Sequence, residues 1–317
     1  MSTVPTVPVV PPPLEHPRRP VLRLPAGACD THVHVYGPAA RFPFAAERPY
    51  TPQDAPLERL CALYRQLGIE RAVYVQATVH GYDNAAILDA IARDPARGRG
   101  VALVRTDIAQ DALAALQAQG IRGVRFNFVR HLGQTPDTDA VLRLAERIAP
   151  LGWHLQLHLG AQDLLAQRGF LQRLPATFVI DHMGRTPVQG GLGQEACVFL
   201  HELLATNDRA WIKLSGPERI SQVQARGAAF AYDDVVPFAR ALLAAAPDRC
   251  VWGTDWPHPN VREMPDDGDL VDLLGHYADP GDDAVLQRLL VRNPERLYGF
   301  EPAAPTLSST RFDPLHP

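Results

Sequence analysis

The stretch Ala28-Cys-Asp-Thr-His-Val-His-Val35 decides how the rest of the chain is read. It is short, largely apolar and led in by Pro25 and Gly27, which marks a strand. Side chains alternate across a strand, so His32 and His34 share one face while Thr31, Val33 and Val35 take the other. Two imidazoles on one face, roughly 6–7 Å apart at the backbone, can hold a metal or polarise one oxygen. The pair also suits a half-buried strand with two hydrogen-bonded histidines. The choice turns on what the other strands carry at their ends.

Seven further apolar runs read as strands: Arg71–Gln76, Gly100–Val104, Gly123–Phe128, Trp153–His158, Thr177–Ile180, Trp211–Leu214 and Cys250–Trp252. Helical stretches separate them: Pro56–Leu67, Asn84–Asp94, Asp111–Gln119, Asp137–Ala149, Ala161–Arg173, Gln194–Ala205 and Tyr232–Ala245, with more helix up to Tyr298. Eight short strands, each followed by a helix, predict an α/β fold of the (β/α)8 TIM-barrel type. A doubly wound open sheet would want a glycine-rich phosphate loop after the first strand. This chain has two histidines there and no GxGxxG.

The chain has 317 residues, 46% hydrophobic and 21% charged, enough for one large domain or two ordinary ones. The expected division is a proline-rich arm over 1–24, a barrel domain over 25–300 and a tail over 301–317. Pro5, Pro8, Pro11, Pro12, Pro13, Pro17 and Pro20 forbid helix in the arm. An extended arm lies loose, along its own domain or along a neighbouring subunit, which leaves a homo-oligomer open. With a net charge of −4 and no long basic block, neither nucleic acid nor an anionic membrane is the expected partner. No apolar run approaches the ~20 residues of a membrane helix, and the N-terminus carries prolines in place of a leader core. Cys29, Cys61, Cys197 and Cys250 are scattered without a CxxC, so each reads as a reduced, buried core thiol. A cytoplasmic protein is expected.

In such barrels chemistry sits at the C-terminal ends of the strands. Those ends carry His32 and His34, then His158, then Asp181 and His182, then Asp255. Any one of them alone suits a structural role; Asp255, before Trp-Pro, suits a turn or helix cap. Together His32, His34, His158, His182 and Asp255 offer four imidazoles and a carboxylate, a donor set for a divalent zinc or manganese ion.

Three motifs, DTHVH at 30–34, DHMGR at 181–185 and GTDWPHPN at 253–260, resemble the amidohydrolase superfamily, and within it the pyrone-dicarboxylate lactonase branch. The likeness runs from about Pro25 to Phe300. It includes FPF at 42–44, VQATVHGYDN at 75–84, GVRFNF at 123–128 and NPERLYGF at 293–300. The resemblance implies hydrolysis of a small anionic lactone of the 2-pyrone-4,6-dicarboxylate or muconolactone type, in aromatic-compound degradation. Asp255 would be the general base that takes a proton from water. His32, His34 and His182 would steady the oxyanion, directly or through a metal. Lactone isomerases and metal-dependent decarboxylases of the same superfamily are the alternative outcomes.

One departure bears on the cofactor. Pyrone-dicarboxylate lactonases work without a metal and carry tyrosine at the end of the fifth strand, where this chain has His158. Metal-dependent amidohydrolases place a histidine ligand there, and sulfomuconolactone hydrolases of this branch use zinc. One divalent ion, zinc first, is the expectation, with metal-free operation as the alternative. The resemblance also carries substrate-binding roles to Arg125 and Arg219, and to Tyr50 and Thr78 in the pocket wall. A third family arginine falls where this chain has His131, with Arg130 adjacent as the candidate. His80, in the loop after the second strand, is a further candidate substrate contact.

Overall fold

The computed structural model describes residues 7–129, 135–223, 230–279 and 281–302. Within them eight parallel strands run in chain order around a (β/α)8 barrel: β1 Cys29–Val33, β2 Arg71–Val75, β3 Gly98–Ala102, β4 Ile121–Asn127, β5 His154–His158, β6 Phe178–Ile180, β7 Ala210–Lys213 and β8 Cys250–Val251. The strands follow the apolar runs because parallel strands covered by helices are buried on both faces. All of β1, β2, β3 and β5 is buried.

The outer helices are α1 Leu57–Leu67, α2 Ala85–Arg93, α3 Gln110–Ala118, α4 Thr138–Ile148, α5 Ala161–Ala166, α6 Arg168–Arg173, α7 Glu195–Thr206 and α8 Val236–Ala245. The expected helix over 161–173 is thus two short helices, broken at Gln167. The one expected from Tyr232 starts at Val236, because Tyr232 has a φ of 60° and cannot be helical. Cys29, Cys197 and Cys250 are buried, but Cys61 is exposed on α1, which corrects the reading of four core thiols. Residues of the proline-rich segment lie against the barrel. Gln66 of α1 donates to the Pro17 carbonyl at 2.6 Å, and Asp272 of α9 (Asp267–Leu273) accepts from the Val21 and Leu22 amides at 2.8 and 2.7 Å.

Strand alternation puts Val73, Val75, Val101, Val179, Trp211 and Val251 into one apolar cluster, joined by Tyr298 at the end of the helix Asn293–Tyr298 and by Phe300 just beyond it. The same parity sends Arg125, Gln156, Asp181 and Lys213 inward one layer higher, toward the strands' C-terminal ends. The barrel's final seam joins β1 to the run after β8. Thr31 N–H donates to the Trp252 carbonyl at 2.9 Å, Asp255 N–H to the His32 carbonyl at 2.8 Å, and His34 N–H to the Trp256 carbonyl at 2.8 Å. Asp30 clasps the same seam: Oδ1 accepts from the amides of His32 and Thr254, both at 3.0 Å, and Oδ2 from the Thr254 hydroxyl at 2.6 Å.

The two segments approach so closely that residue 253 has no room for a side chain. A Cβ there would lie 2.6 Å from the His32 backbone nitrogen and 2.9 Å from Asp30 Oδ1. Gly253→Ala is expected to cost about 1–3 kcal/mol through overpacking. Urea unfolding should show this as a lower midpoint at an unchanged slope; an unshifted midpoint would show that the seam is loose.

Candidate active site

At the C-terminal rim the seam delivers Asp255 to the two β1 histidines. Asp255 sits at a φ of 66°, an uncommon backbone region for a side-chain-bearing residue. Its Oδ1 lies 3.4 Å from His34 Nε2 and 3.6 Å from His32 Nε2, and its Oδ2 lies 4.0 Å from His182 Nε2. Arg219, from the loop after β7, takes the other edge of the carboxylate: Nη2 and Nε donate to Oδ2 at 2.5 and 3.1 Å. Burial pushes the Asp255 carboxyl upward, but Arg219, His182 and the β1 imidazoles hold it well below the usual carboxylate range.

Each imidazole is oriented by a neighbour. His34 Nδ1 donates to the Val75 carbonyl at 2.8 Å, which turns Nε2 toward Asp255. His182 Nδ1 shares a hydrogen bond with Ser215 Oγ at 2.9 Å. Burial drives the His182 imidazole down to about 3, so it is neutral at physiological pH. His158 Nδ1 donates to Asn127 Oδ1 at 3.2 Å, and its Nε2 accepts from Arg185 Nη1 at 3.4 Å.

Beneath these rings lies a fully buried ionic layer. Asp181 Oδ2 accepts from Arg125 Nε and Gln156 Nε2, both at 3.1 Å. The Lys213 ammonium donates to Gln156 Oε1 at 2.7 Å and the Thr31 carbonyl at 2.8 Å, and stands 3.3 Å from His32 Nδ1. Burial lowers Lys213 to about 8. Burial raises the Asp181 carboxyl, but His32, Arg125 and Lys213 together hold it well below its ordinary value.

The rim encloses a tight pocket of about 30 Å³ lined by His34, Tyr50, Ala77, Thr78, Arg125, His158, His182, Arg185, Arg219, Asp255, Pro259 and Asn260. A larger groove of about 1210 Å³ runs along α7 past Arg168 and Asp208, and no rim imidazole lines it. We place the chemistry in the smaller space because the buried titratable groups converge there.

The structure brings His32, His34, His182 and Asp255 together, with Arg125, Arg219, Tyr50 and Thr78 around them. His158 lines the cavity but belongs to neither cluster of convergent donor atoms, which are His32, His34 and Asp255, and His32, Asp181 and His182. His80 lies outside the cavity wall; Nδ1 bonds the Pro43 carbonyl at 3.2 Å and the ring packs on Phe44. Arg130 and His131 lie outside the described residues. His258 pairs with Asp267 at 3.1 Å behind the turn. Sequence reading missed Arg185, Asn260, Lys213 and Gln156. Arg185 and Asn260 each end a motif that had been quoted for its histidine or aspartate.

A (β/α)8 barrel whose C-terminal rim gathers imidazoles and arginines around a buried aspartate has the architecture of barrel enzymes, whose chemistry sits at that rim. The chain belongs to the amidohydrolase family, whose profile matches residues 29–300. It is 46% identical over 287 residues to a 2-pyrone-4,6-dicarboxylate hydrolase of Comamonas testosteroni, covering 89% of this chain and 93% of that protein. A 4-sulfomuconolactone hydrolase of Rhizobium radiobacter is 42% identical, over 87% of this chain and 91% of that one. Among solved structures, an apo Agrobacterium tumefaciens protein matches with a TM-score of 0.78 at 28% identity, over 89% of this chain and 99% of that chain. Among the described residues no helix is long and apolar enough to cross a membrane.

The buried layer is testable by stability. Asp181→Ala would strand Lys213 and Arg125 without their shared carboxylate, and breaking a buried pair costs about 3–5 kcal/mol. Urea unfolding should show that loss, and a variant as stable as the wild type would remove Asp181 from the foundation of the site.

Proposed function

We propose that this chain hydrolyses a small anionic lactone of the pyrone-dicarboxylate or muconolactone type. The observation that carries the reading is the cavity wall. It holds three arginines and one carboxylate, a formal excess of two positive charges, beside the imidazoles of His34 and His182. That wall suits a dianion whose ring carbonyl lies against the histidines. The names of the similar proteins supply the lactone.

Arg125, Arg185 and Arg219, with Tyr50 and Thr78, hold the acid groups of the substrate; Arg130 is a further candidate. His32, His34 and His182 polarise the ring carbonyl. Asp255 Oδ1 takes a proton from water as its oxygen bonds to the carbonyl carbon. The tetrahedral intermediate then breaks its ring C–O bond, and the proton held by Asp255 passes to the departing oxygen. In the free protein Asp255 is ionised but weakly basic, because Arg219 saturates Oδ2. A substrate acid group that draws Arg219 away restores that basicity, so base strength follows substrate binding.

The same residues fit a divalent ion, zinc first. His34 Nε2 faces a carboxylate oxygen at 3.4 Å, and with His32 Nε2 the three donor atoms converge, an arrangement that accommodates either a proton or a cation between them. His32, His34 and Asp255 would hold the ion, with His182 next in reach. His158, assigned to that set from the sequence, gives its lone pair to Arg185 instead. When bound, the ion would polarise the carbonyl and acidify the attacking water.

Incubation with 2-pyrone-4,6-dicarboxylate or 4-sulfomuconolactone should bleach the ring absorbance with release of acid. A new isomer without net acid release would favour isomerisation instead. Asp255→Asn should lower kcat about 10²–10⁴-fold. Because Asp255 stays ionised down through the ordinary carboxylate range, kcat/KM should show no Asp255 limb between about pH 5 and 8 and should fall only in stronger acid. Arg185→Met removes a charge-assisted contact worth about 1.5–3 kcal/mol, so KM should rise roughly 10–100-fold. An unchanged KM would take Arg185 off the substrate.

A further inference from the structure

The buried lysine under the rim has no part in the mechanism so far, yet it touches the histidine on which both clusters of donor atoms converge. Lys213 has three protons to place and is wholly buried. Two go to the Thr31 carbonyl and to Gln156 Oε1, at 2.8 and 2.7 Å. The third has two acceptors nearby: His32 Nδ1 at 3.3 Å and Asp181 Oδ1 at 3.7 Å. The imidazole nitrogen is the nearer and is aligned to accept.

His32 Nδ1 has a second neighbour at the same distance, Asp181 Oδ1 at 3.3 Å. Lys213 can only donate to that nitrogen, whereas Asp181 Oδ1 could only accept from it, and Asp181 Oδ1 is buried without a hydrogen-bond partner. His32 Nε2 is likewise buried and unpartnered, aimed at Asp255 Oδ1. A neutral imidazole carries one proton. If Nδ1 accepts from Lys213, the proton is on Nε2, and His32 offers an N–H to the cavity. If Nδ1 donates to Asp181, the proton leaves Nε2, and His32 offers a lone pair.

We propose that Lys213 is a positioning residue that sets the tautomer of His32, and with it how readily this site takes a metal. In the metal-free protein Lys213 holds His32 as an Nε2–H donor, fit to bond a carbonyl oxygen directly. Loading a divalent ion requires His32 to move its proton to Nδ1, where the unsatisfied Asp181 oxygen waits as the orienting carboxylate of a ligand histidine. Metal binding therefore works against the Lys213–His32 contact. The proposal deepens the lactonase reading, but neither of its readouts involves a lactone, so the two can fail separately.

Ring-nitrogen NMR on protein labelled with 15N in histidine and stripped of metal by a chelator gives the first test. The His32 signals are assigned by their loss in His32→Gln. Wild type should show His32 protonated at Nε2, and Lys213→Met should show it protonated at Nδ1. The second test is zinc affinity by chelator competition, where Lys213→Met should bind zinc at least about tenfold more tightly. A metal-free wild-type His32 protonated at Nδ1 overturns the proposal whether or not the variant folds. So does a Lys213→Met protein with the wild-type tautomer, or with unchanged or weaker zinc binding.

Discussion

Everything at this rim depends on the seam between β1 and the run after β8. Parallel strands pair through backbone bonds, and here the pairing amide of Asp255 bonds the carbonyl of His32 itself. The backbones that carry the Asp255 carboxylate and the His32 imidazole are thereby fixed relative to each other by main chain rather than by side-chain choice. Asp30 locks the register from beneath, spending both carboxylate oxygens on the two sides of the join. Burial raises its carboxyl to about 7 against the lowering effect of its hydrogen bonds, so charge on this clasp is costly. A barrel can close in many ways, but closing it here with a glycine at 253 lets the chain cross at a distance no other residue permits.

The second constraint is electrical. Asp181 and Asp255 are both buried, and both remain ionised because fixed cations face them: Arg125 and Lys213 for the first, Arg219 for the second. The difference between them lies in access. Asp181 is closed off beneath the imidazoles. Asp255 keeps one oxygen toward the cavity, and its partner arginine lines the same cavity. One carboxylate is therefore sealed in the foundation and the other lines the pocket, although both are aspartates at the ends of strands. The imidazoles are pressed the other way. Burial lowers His158 and His182, and burial with the nearby Lys213 ammonium lowers His32, so these rings act as neutral donors or ligands and not as charges.

This division explains which parts of the site were legible in the sequence. Strand runs such as Arg71–Gln76 and Trp153–His158 show themselves by length and apolar content, and the barrel follows from counting them. His32 and His34 stand out because histidine is unusual in such a run, and Asp255 because its flanking motif is long. Arg125 stands out for the same reason, although its first partner proves to be Asp181. Lys213 in Trp211-Ile-Lys-Leu214 was passed over, since a lysine near a strand end usually reaches solvent. Only the packed barrel shows that its ammonium ends among Thr31, Gln156 and His32. Arg185 was hidden by the histidine three residues before it, and its role needs the left-handed turn at 182–185 that brings it over His158. Positive backbone angles on side-chain-bearing residues leave no compositional trace.

His158 shows how far a position can be read without its neighbours. A histidine at the end of the fifth strand has the right chemistry for a metal and stands at the right rim. What decides its part is the proton on Nδ1, fixed by Asn127, and the guanidinium that faces Nε2. A bare lone pair next to an unpaired cation is already half a contact, and a metal would have to displace Arg185 to use it. The same guanidinium has no carboxylate partner among the described residues, unlike Arg125 and Arg219. Burial and the charge of Arg219 bring it down to about 10, the mark of a cation kept short of counter-charge. On the proposed function, an acidic group of the substrate would supply that charge. Arg185 and His158 are therefore understood together, as one contact in the pocket wall, while the convergent donor atoms lie on the rings nearer the seam.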